Sequence, residues 1–294
     1  MSLALPVKKI TVVGVGLIGG SFAKGIKASG QPIEIVGYGH NEANLQLAVE
    51  LGVVDRYATD MAEAVKDSDL IMLGVPLGAM QSALEAMRPY LKEGAIISDV
   101  GSAKMSVIEA VKTAFGELPA RFVAGHPIAG KEKSGVAAAD AELFVKHRVI
   151  LTPTPETEQA ALETVRSLWQ LLGADVIDME PDYHDEVLAA TSHLPHMLAF
   201  GLVEMLNEHP ELGNVFQYTA GGFRDFTRIA SSDAVMWRDI ALSNGKAISK
   251  WLRHYQQAIG HMIELIEQQD GDALYALFHE AKTARDKHIL KKTD

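Results

Sequence analysis

Up to Asp178, short apolar runs rich in β-branched residues alternate with stretches of helical periodicity, and that alternation leaves the chain few architectures to choose from. The runs are Ile10–Val13, Ile33–Tyr38, Leu70–Val75, Ala95–Asp99, Arg121–Ala124, Arg148–Leu151 and Asp175–Asp178. Between them lie helical stretches at Leu17–Ser29, at a segment opening on Asn41 as N-cap, at Ala79–Tyr90, at Lys104–Phe115 and at Glu156–Leu172. Gly30 stops the first of these, and Thr154 as N-cap with Pro155 in the first turn starts the last. Runs so short and so continuously apolar suit strands buried on both faces. Strands spaced by helices pair in parallel through crossovers, which predicts a doubly wound α/β sheet.

After Pro181 no strand pattern returns. From His184 to Leu206 the apolar residues, among them Val187, Leu194, Leu198, Phe200, Val203 and Leu206, surround most of the helix. A helix apolar on nearly all sides is a buried one. The sequence therefore predicts a helical domain whose central helix is covered by its neighbours or by a second subunit, with further helices at about 234–266 and 272–287. The seam falls near Met179–Pro181, dividing the chain into residues 1–179 and 180–294, and 294 residues suffice for two such domains.

Charge and composition narrow the function. With 38 acidic against 27 basic residues the chain carries a net charge of −11, and no basic patch stands out, so neither nucleic acid nor a membrane surface is expected as a partner. The absence of cysteine excludes disulfides, thiolate catalysis and cysteine-ligated metal centres. The N-terminal residues lack the order of a signal peptide, so a cytoplasmic location is expected.

Gly14-Val15-Gly16-Leu17-Ile18-Gly19 follows the first strand and opens the first helix. The three glycines suit a tight turn, close backbone approach to a pyrophosphate, and close helix–strand packing, with the pyrophosphate on the positive end of the helix. Dinucleotide contacts are accordingly expected from Gly14, Gly16, Leu17, Ile18 and Gly19, from Val75 and Pro76, and from Asp99 and Gly101 at later strand ends. A carboxylate about 20 residues on usually accepts the ribose hydroxyls of NAD. Here that count lands on Gly39, within Tyr38-Gly39-His40-Asn41, where there is no acid. A small residue followed by His40 leaves room and a cation for a 2′-phosphate; alternatively Gly39 and His40 only make a turn. NADP is favoured slightly, with NAD or both left open.

Polar residues concentrate in four segments. In Asp99-Val100-Gly101-Ser102-Ala103-Lys104, Ser102 is placed to donate to a substrate or nicotinamide oxygen, or to cap the following helix. In Gly125-His126-Pro127-Ile128-Ala129-Gly130, a histidine held on a loop between glycine and proline is the candidate general base. In Ser192-His193-Leu194-Pro195-His196, two histidines lie three apart, short of the third ligand a metal would want, so no metal site is expected. Pro195 instead predicts a kink that aims His196 into a cleft, giving Ser192 and His196 a polar substrate contact and His193 a structural place. In Gly221-Gly222-Phe223-Arg224-Asp225-Phe226-Thr227-Arg228, an arginine suits an anionic substrate, while Arg238 is expected to pair with Asp239.

Together these segments resemble the prephenate/arogenate (cyclohexadienyl) dehydrogenase family of tyrosine biosynthesis. The resemblance implies a Rossmann-type doubly wound domain followed by an all-α dimerisation domain, a homodimer, and oxidative decarboxylation of prephenate or arogenate with NAD or NADP. It further implies that His126 takes the proton of the ring hydroxyl while Ser102 bridges hydroxyl and nicotinamide. Arg228 would bind the ring carboxylate, and Ser192 with His196 would hold the side chain. Glu132, Arg224 and Asp225 would form a charged gate, Trp237 would line the pocket, and Asp185 would lie near its entrance. Two alternatives remain: another dehydrogenase of similar build, which would need a catalytic lysine such as Lys246 or Lys250, and a catalytically silent NAD(P) sensor.

Overall fold

The computed structural model describes residues 5–131 and 133–289. Described residues up to Gly245 form one compact unit, and those from Lys246 onward form a second. The first unit opens with strand β1 (Lys9–Val13), helix α1 (Leu17–Ala28), β2 (Glu34–Tyr38), α2 (Glu42–Glu50), β3 (Arg56–Ala58), α3 (Met61–Val65) and β4 (Leu70–Leu73). It continues through α4 (Met80–Met87), β5 (Ile96–Asp99), α5 (Lys104–Phe115) and β6 (Phe122–Val123). These six strands form one sheet in the order β3-β2-β1-β4-β5-β6, every pair parallel. The order reverses direction between β1 and β4, which opens a crevice beyond their carboxyl ends, the place where ligands bind in sheets of this kind.

Alternation within the strands explains why they read as continuous apolar runs. Ile10 and Val12 of β1 and Leu70 and Met72 of β4 enter one core layer with Phe22, Ile26 and Trp169. Val13, Ile71 and Leu73 enter the layer on the other face with Met80, Leu84, Val107 and Ile108. Thr11, the polar residue in β1, is satisfied inside the core, its hydroxyl donating to the Ala64 carbonyl (2.6 Å) and lying 2.7 Å from the Ser68 hydroxyl.

The single parallel sheet expected from the sequence needs correcting at its end. Gly125–Pro127 is a strand, β7, and not a loop; it pairs antiparallel with β8 (Arg148–Leu151), which pairs in parallel with β9 (Asp175–Asp178), and the three form a separate small sheet. The Gly125-His126-Pro127 sequence predicts a loop, but a proline is tolerated at the end of an edge strand. Helix α6 (Gln159–Leu171) starts later than Thr154 predicts. Thr154 instead closes a turn with Thr157, whose hydroxyl accepts from the Thr154 N–H and whose own N–H donates to the Thr154 carbonyl (both 2.9 Å). Strand β3 has no signal in the sequence because three residues, Arg56 and Tyr57 half-buried and Ala58 buried, carry little periodicity.

Among the described residues no strand follows Asp178. Helix α7 (Pro181–Leu188) runs through one π-helical turn, Ala189–His193, into α8 (Leu194–Asn207), followed by α9 (Gly221–Thr227) and α10 (Ala234–Ser243). Pro195 lies just beyond the π turn: its missing N–H and bulky ring are taken up by the widened turn, so the predicted kink appears as a π-bulge. The expectation of a fully buried central helix fails for this chain alone, since Ala199 is the buried residue of α8 and Met205 is 48% exposed. The second unit contains α11 (Gly245–Glu267, whose first residue belongs to the first unit) and α12 (Gly271–His288). Among the described residues, no helix is long and apolar enough to cross a membrane.

Candidate active site

A cavity of about 900 Å³ opens at the switch point between β1 and β4, lined by the turns after β1, β4 and β5, by β7, and by residues of the π turn, α8 and α10. Its floor begins at the glycine turn. Gly14 has φ +96°, and a Cβ on it would lie 2.6 Å from the Gly74 carbonyl. A Cβ on Gly19 would run into the Gly14 carbonyl, so this position keeps α1 close to β1. At Gly16, by contrast, a Cβ would meet nothing within 4 Å, and Gly16, Leu17 and Ile18 line the cavity. The first turn of α1 has neither an acidic residue nor a side-chain cap. Its backbone N–H groups and partial positive charge are thus left for an anion, the donor set that a pyrophosphate requires.

Val75, Pro76 and Gly101 also line the cavity. Asn41 caps α2 through the Asn44 N–H (3.0 Å), and the Asn44 amide donates to the Val15 carbonyl (2.9 Å), tying this loop to the glycine turn. His40 is exposed, its ring edge-on to Tyr38, and Gly39 is half-buried. Asp99 requires a correction. It was expected at the cofactor, but it is fully buried and its oxygens are taken: one accepts from the Gly101 N–H (2.7 Å) and from the Lys104 ammonium, the other from the Gly125 N–H (3.1 Å). Lys104, equally buried, also donates to the Gly125 carbonyl (2.6 Å). This buried pair holds the loop after β5 against the start of β7, where His126 stands.

Ser102 lines the cavity and does not cap α5, whose N-cap residue, Ala103, offers no side-chain bond. The cap comes from Asp185 on α7, whose carboxylate accepts from the Lys104 (2.7 Å) and Met105 (3.0 Å) N–H groups. Asp185 is therefore buried behind the site and not at its entrance, as the resemblance had implied. Its burial raises the carboxyl pKa, but hydrogen bonds from His184, Lys104 and Met105 outweigh this and leave it below the usual range.

His126 is 8% exposed and lines the cavity, and its Nδ1 lies 2.9 Å from His184 Nε2. His184 Nδ1 in turn lies 2.8 Å from Asp185 Oδ1. The ionised carboxylate can only accept, so the His184 proton sits on Nδ1 and its Nε2 carries a lone pair. His126 must then donate from Nδ1, which leaves its own Nε2 as a bare acceptor. Burial, followed by the neighbouring His184, Lys104 and His193, pushes the His126 pKa well below the ordinary histidine range, so the ring is neutral near pH 7. His184 is pushed down by burial, against the pull of Asp185.

Ser192, His196, Arg228 and Trp237 line the same cavity. His196 donates from Nδ1 to the Ser192 carbonyl (2.9 Å) across the π turn and stacks on Trp237, with ring centroids 3.7 Å apart. His193 is almost wholly buried. Asn244 Nδ2 donates to the Asp185 carbonyl (2.8 Å) and lies 3.3 Å from His193 Nδ1. Burial brings the His193 pKa down to about 4. Arg238 pairs with Asp239 (2.6 Å), as expected, and Asp239 also accepts from the Gly78 N–H (3.2 Å). Arg224 and Asp225 occupy exposed positions of α9 and do not reach the cavity lining, and Glu132 lies outside the described residues. Sequence reasoning missed His184 and Asn244. The adjacent His184-Asp185 pair was the available signal, but His126 is 58 residues away and no local pattern joins them.

The chain matches two family descriptions: "Prephenate dehydrogenase, nucleotide-binding domain" over residues 22–178, and "Prephenate dehydrogenase, dimerization domain" over residues 180–280. A cyclohexadienyl dehydrogenase of Zymomonas mobilis is 38% identical over 290 residues, covering 98% of this chain and 97% of the relative. A solved prephenate dehydrogenase from A. aeolicus, in complex with hydroxyphenyl propionate and NAD+, shares 37% identity at a TM-score of 0.90 and covers 98% of this chain and 99% of its own. Synechocystis arogenate dehydrogenase shares 30% identity at a TM-score of 0.79, covering 96% of this chain and 100% of its own. Two matched segments that adjoin one another and leave only the ends of the chain outside them make this protein a member of the prephenate dehydrogenase family.

Proposed function

We propose that this protein oxidises prephenate, arogenate or both, using NAD(P)+ and releasing CO2, to give 4-hydroxyphenylpyruvate or tyrosine. The observation that carries this is the presence of His126 and Arg228 on one cavity at the switch point. Such substrates carry a hydroxyl and a carboxylate at opposite carbons of one ring, so they need a proton acceptor at one end and a cation at the other.

In this reading His126 Nε2 takes the proton of the ring hydroxyl as hydride leaves the same carbon, and Ser102 hydrogen-bonds that oxygen. Arg228 holds the ring carboxylate until it departs as CO2, and Ser192 with His196 holds the side chain. The ring becomes aromatic as CO2 leaves, which drives the step, so the protein needs only to orient the ring and accept a proton. When bound, NAD(P)+ supplies the hydride acceptor; Gly16, Leu17 and Ile18 would receive its pyrophosphate. The lack of a carboxylate at Gly39-His40 supports use of NADP as well as NAD.

The same reading divides the chain at Met179–Pro181, as the limits of the matched segments support. It makes the protein a homodimer through the helices that follow, supported by the name of the second family segment and by the exposed apolar side chains there. It assigns the protein to the cytoplasm. The test is absorbance at 340 nm with prephenate and then arogenate, each with NAD+ and NADP+. Turnover of at least one pair is expected, and a folded sample inert toward all four would overturn the proposal.

A further inference from the structure

We propose that His184 shares the proton that His126 takes from substrate, so that the positive charge of the reaction settles on a His184–Asp185 pair anchored at the N-terminus of α5. This rests on His126 being the proton acceptor, as set out above.

The geometry already points the proton that way. His126 donates from Nδ1 to a lone pair on His184 Nε2 at 2.9 Å. Once His126 Nε2 has bound the substrate proton, both its nitrogens carry hydrogen and the ring is a cation. Transfer of the Nδ1 hydrogen across this bond returns His126 to neutrality and makes His184 the cation. The balance closes: the substrate O–H bond breaks and its electron pair forms C=O as hydride leaves for the cofactor. The His126 Nε2–H bond forms, His126 Nδ1–H breaks, and His184 Nε2–H forms. As the C–CO2 bond then breaks, its electron pair makes the ring aromatic and the C=O pair returns to oxygen. That oxygen takes back a proton from His126 Nε2 while His184 Nε2–H breaks and His126 Nδ1–H re-forms. Asp185 keeps its negative charge throughout, and no net proton is released.

The surroundings favour the charge on the second ring. His126 on β7 is influenced by His184, by Lys104 on α5 and by His193 on the π turn, all neutral or positive. His184 feels Lys104 as well, but it touches Asp185 at 2.8 Å, and Lys104 is itself paired with Asp99 of β5. Asp185 remains ionised because the Lys104 and Met105 N–H groups bind it at the positive end of a helix. A purely structural role would require His184 only to accept a hydrogen bond and lock the His126 tautomer; a sharing role requires it to be a base.

His184→Gln separates the two, because a carboxamide oxygen still accepts from His126 but cannot take up a proton at this pH. In the full-length protein, with whichever of prephenate or arogenate is turned over, kcat is expected to fall about 10- to 100-fold while KM stays within about threefold. The acid limb of the kcat profile should move to lower pH, because His126 alone is harder to protonate. A kcat within about threefold of wild type with an unmoved acid limb would overturn the proposal. The wild-type protein gives a second, independent reading: single-turnover hydride transfer in H2O–D2O mixtures should curve with deuterium fraction if two protons move, and a straight line overturns the proposal. His126→Asn separates this idea from its premise. If that variant is inactive while His184→Gln is normal, only the sharing role fails; if His126→Asn turns over normally, the base assignment fails too.

Discussion

The strands and helices up to Asp178 cover most of their own apolar surface, whereas the helices after Pro181 leave long stripes of it exposed. In β1 and β4 every apolar residue is fully buried, and α6 seats Trp169 at 0% exposure. In α8 Met205 is half-exposed, along α11 Tyr255, Ile259, Ile263 and Ile266 all face outward, and Tyr275 of α12 is 70% exposed. The contrast follows from architecture. Crossovers lay consecutive helices over both faces of a parallel sheet, so one chain completes the core. A run of helices has no such rule, and its outer stripes wait for another surface. The proposed chemistry is divided along the same line. The sheet-bearing part supplies the glycine turn and the proton acceptor, and the helices supply Ser192, His196, Arg228 and Trp237.

Removal of the acceptor should have the largest effect. His126→Asn is expected to lower kcat by about 10²- to 10⁴-fold with little change in KM or melting temperature, because the lost interaction matters mainly in the transition state. A raised KM at unchanged kcat would assign the α/β part to binding and erase the division. The core of that part can be tested directly. Trp169 meets Phe22 and Phe144 edge to face at 4.9 and 5.0 Å. Trp169→Ala should cost about 3–5 kcal/mol in urea unfolding, since the indole N–H has no partner to lose and the effect is cavity formation. A cost below about 1 kcal/mol would mean that this core is far looser than the contrast requires.

These two residues also differ in how legible they were. The alternating runs announced the buried strands and the parallel sheet, and Trp169 falls on the apolar face of a helix whose period is visible. The glycine turn announced the crevice, because each glycine answers a local steric demand. His126 stood out between glycine and proline, yet its strand did not, since three residues give no period. His184 and Asn244 were invisible because their roles exist only across long sequence separations: one imidazole takes its meaning from another 58 residues away. Asp99 was misplaced for a related reason. A carboxylate at a strand end reads as a ligand contact unless one knows that a buried ammonium five residues on lies beside it. Which surface covers α8 was left open by the sequence, because an all-apolar helix has the same pattern whether its own chain or a partner covers it.

The histidines at the cavity should make the folded state sensitive to acid. The folded pKa of His193 is about 4 against 6.5 unfolded, and His126 and His184 are lowered in the same direction. The unfolded chain therefore binds more protons between these values, so stability is complete above about pH 6.5 and is lost as pH falls toward 4. His193 alone accounts for on the order of 3 kcal/mol. Urea midpoints at pH 7, 5.5 and 4.5 should fall in that order, and His193→Gln should flatten the decline. Equal midpoints would place these rings in contact with water. On the helical side, Arg228→Ala should raise KM about 10- to 100-fold with a smaller change in kcat, as expected for a lost charged hydrogen bond to the ground-state carboxylate. An unchanged KM would put that carboxylate elsewhere.

The smallest effect on the fold, and the sharpest test of the contrast, is at Ile263. It is 49% exposed on α11, on the same stripe as Tyr255, Ile259 and Ile266. If that stripe is only surface, Ile263→Asp should change stability by less than about 0.5 kcal/mol and leave the molecular mass in solution unaltered. If a second copy covers it, the fold is still nearly indifferent, but a carboxylate must be buried without a partner in the assembly. Sedimentation should then show a dimer in the wild type and a shift toward monomer in the variant at equal concentration. A wild type that sediments as a monomer would mean that the uncovered apolar faces of the helices are not an assembly surface, and the contrast with the α/β part would lose its explanation.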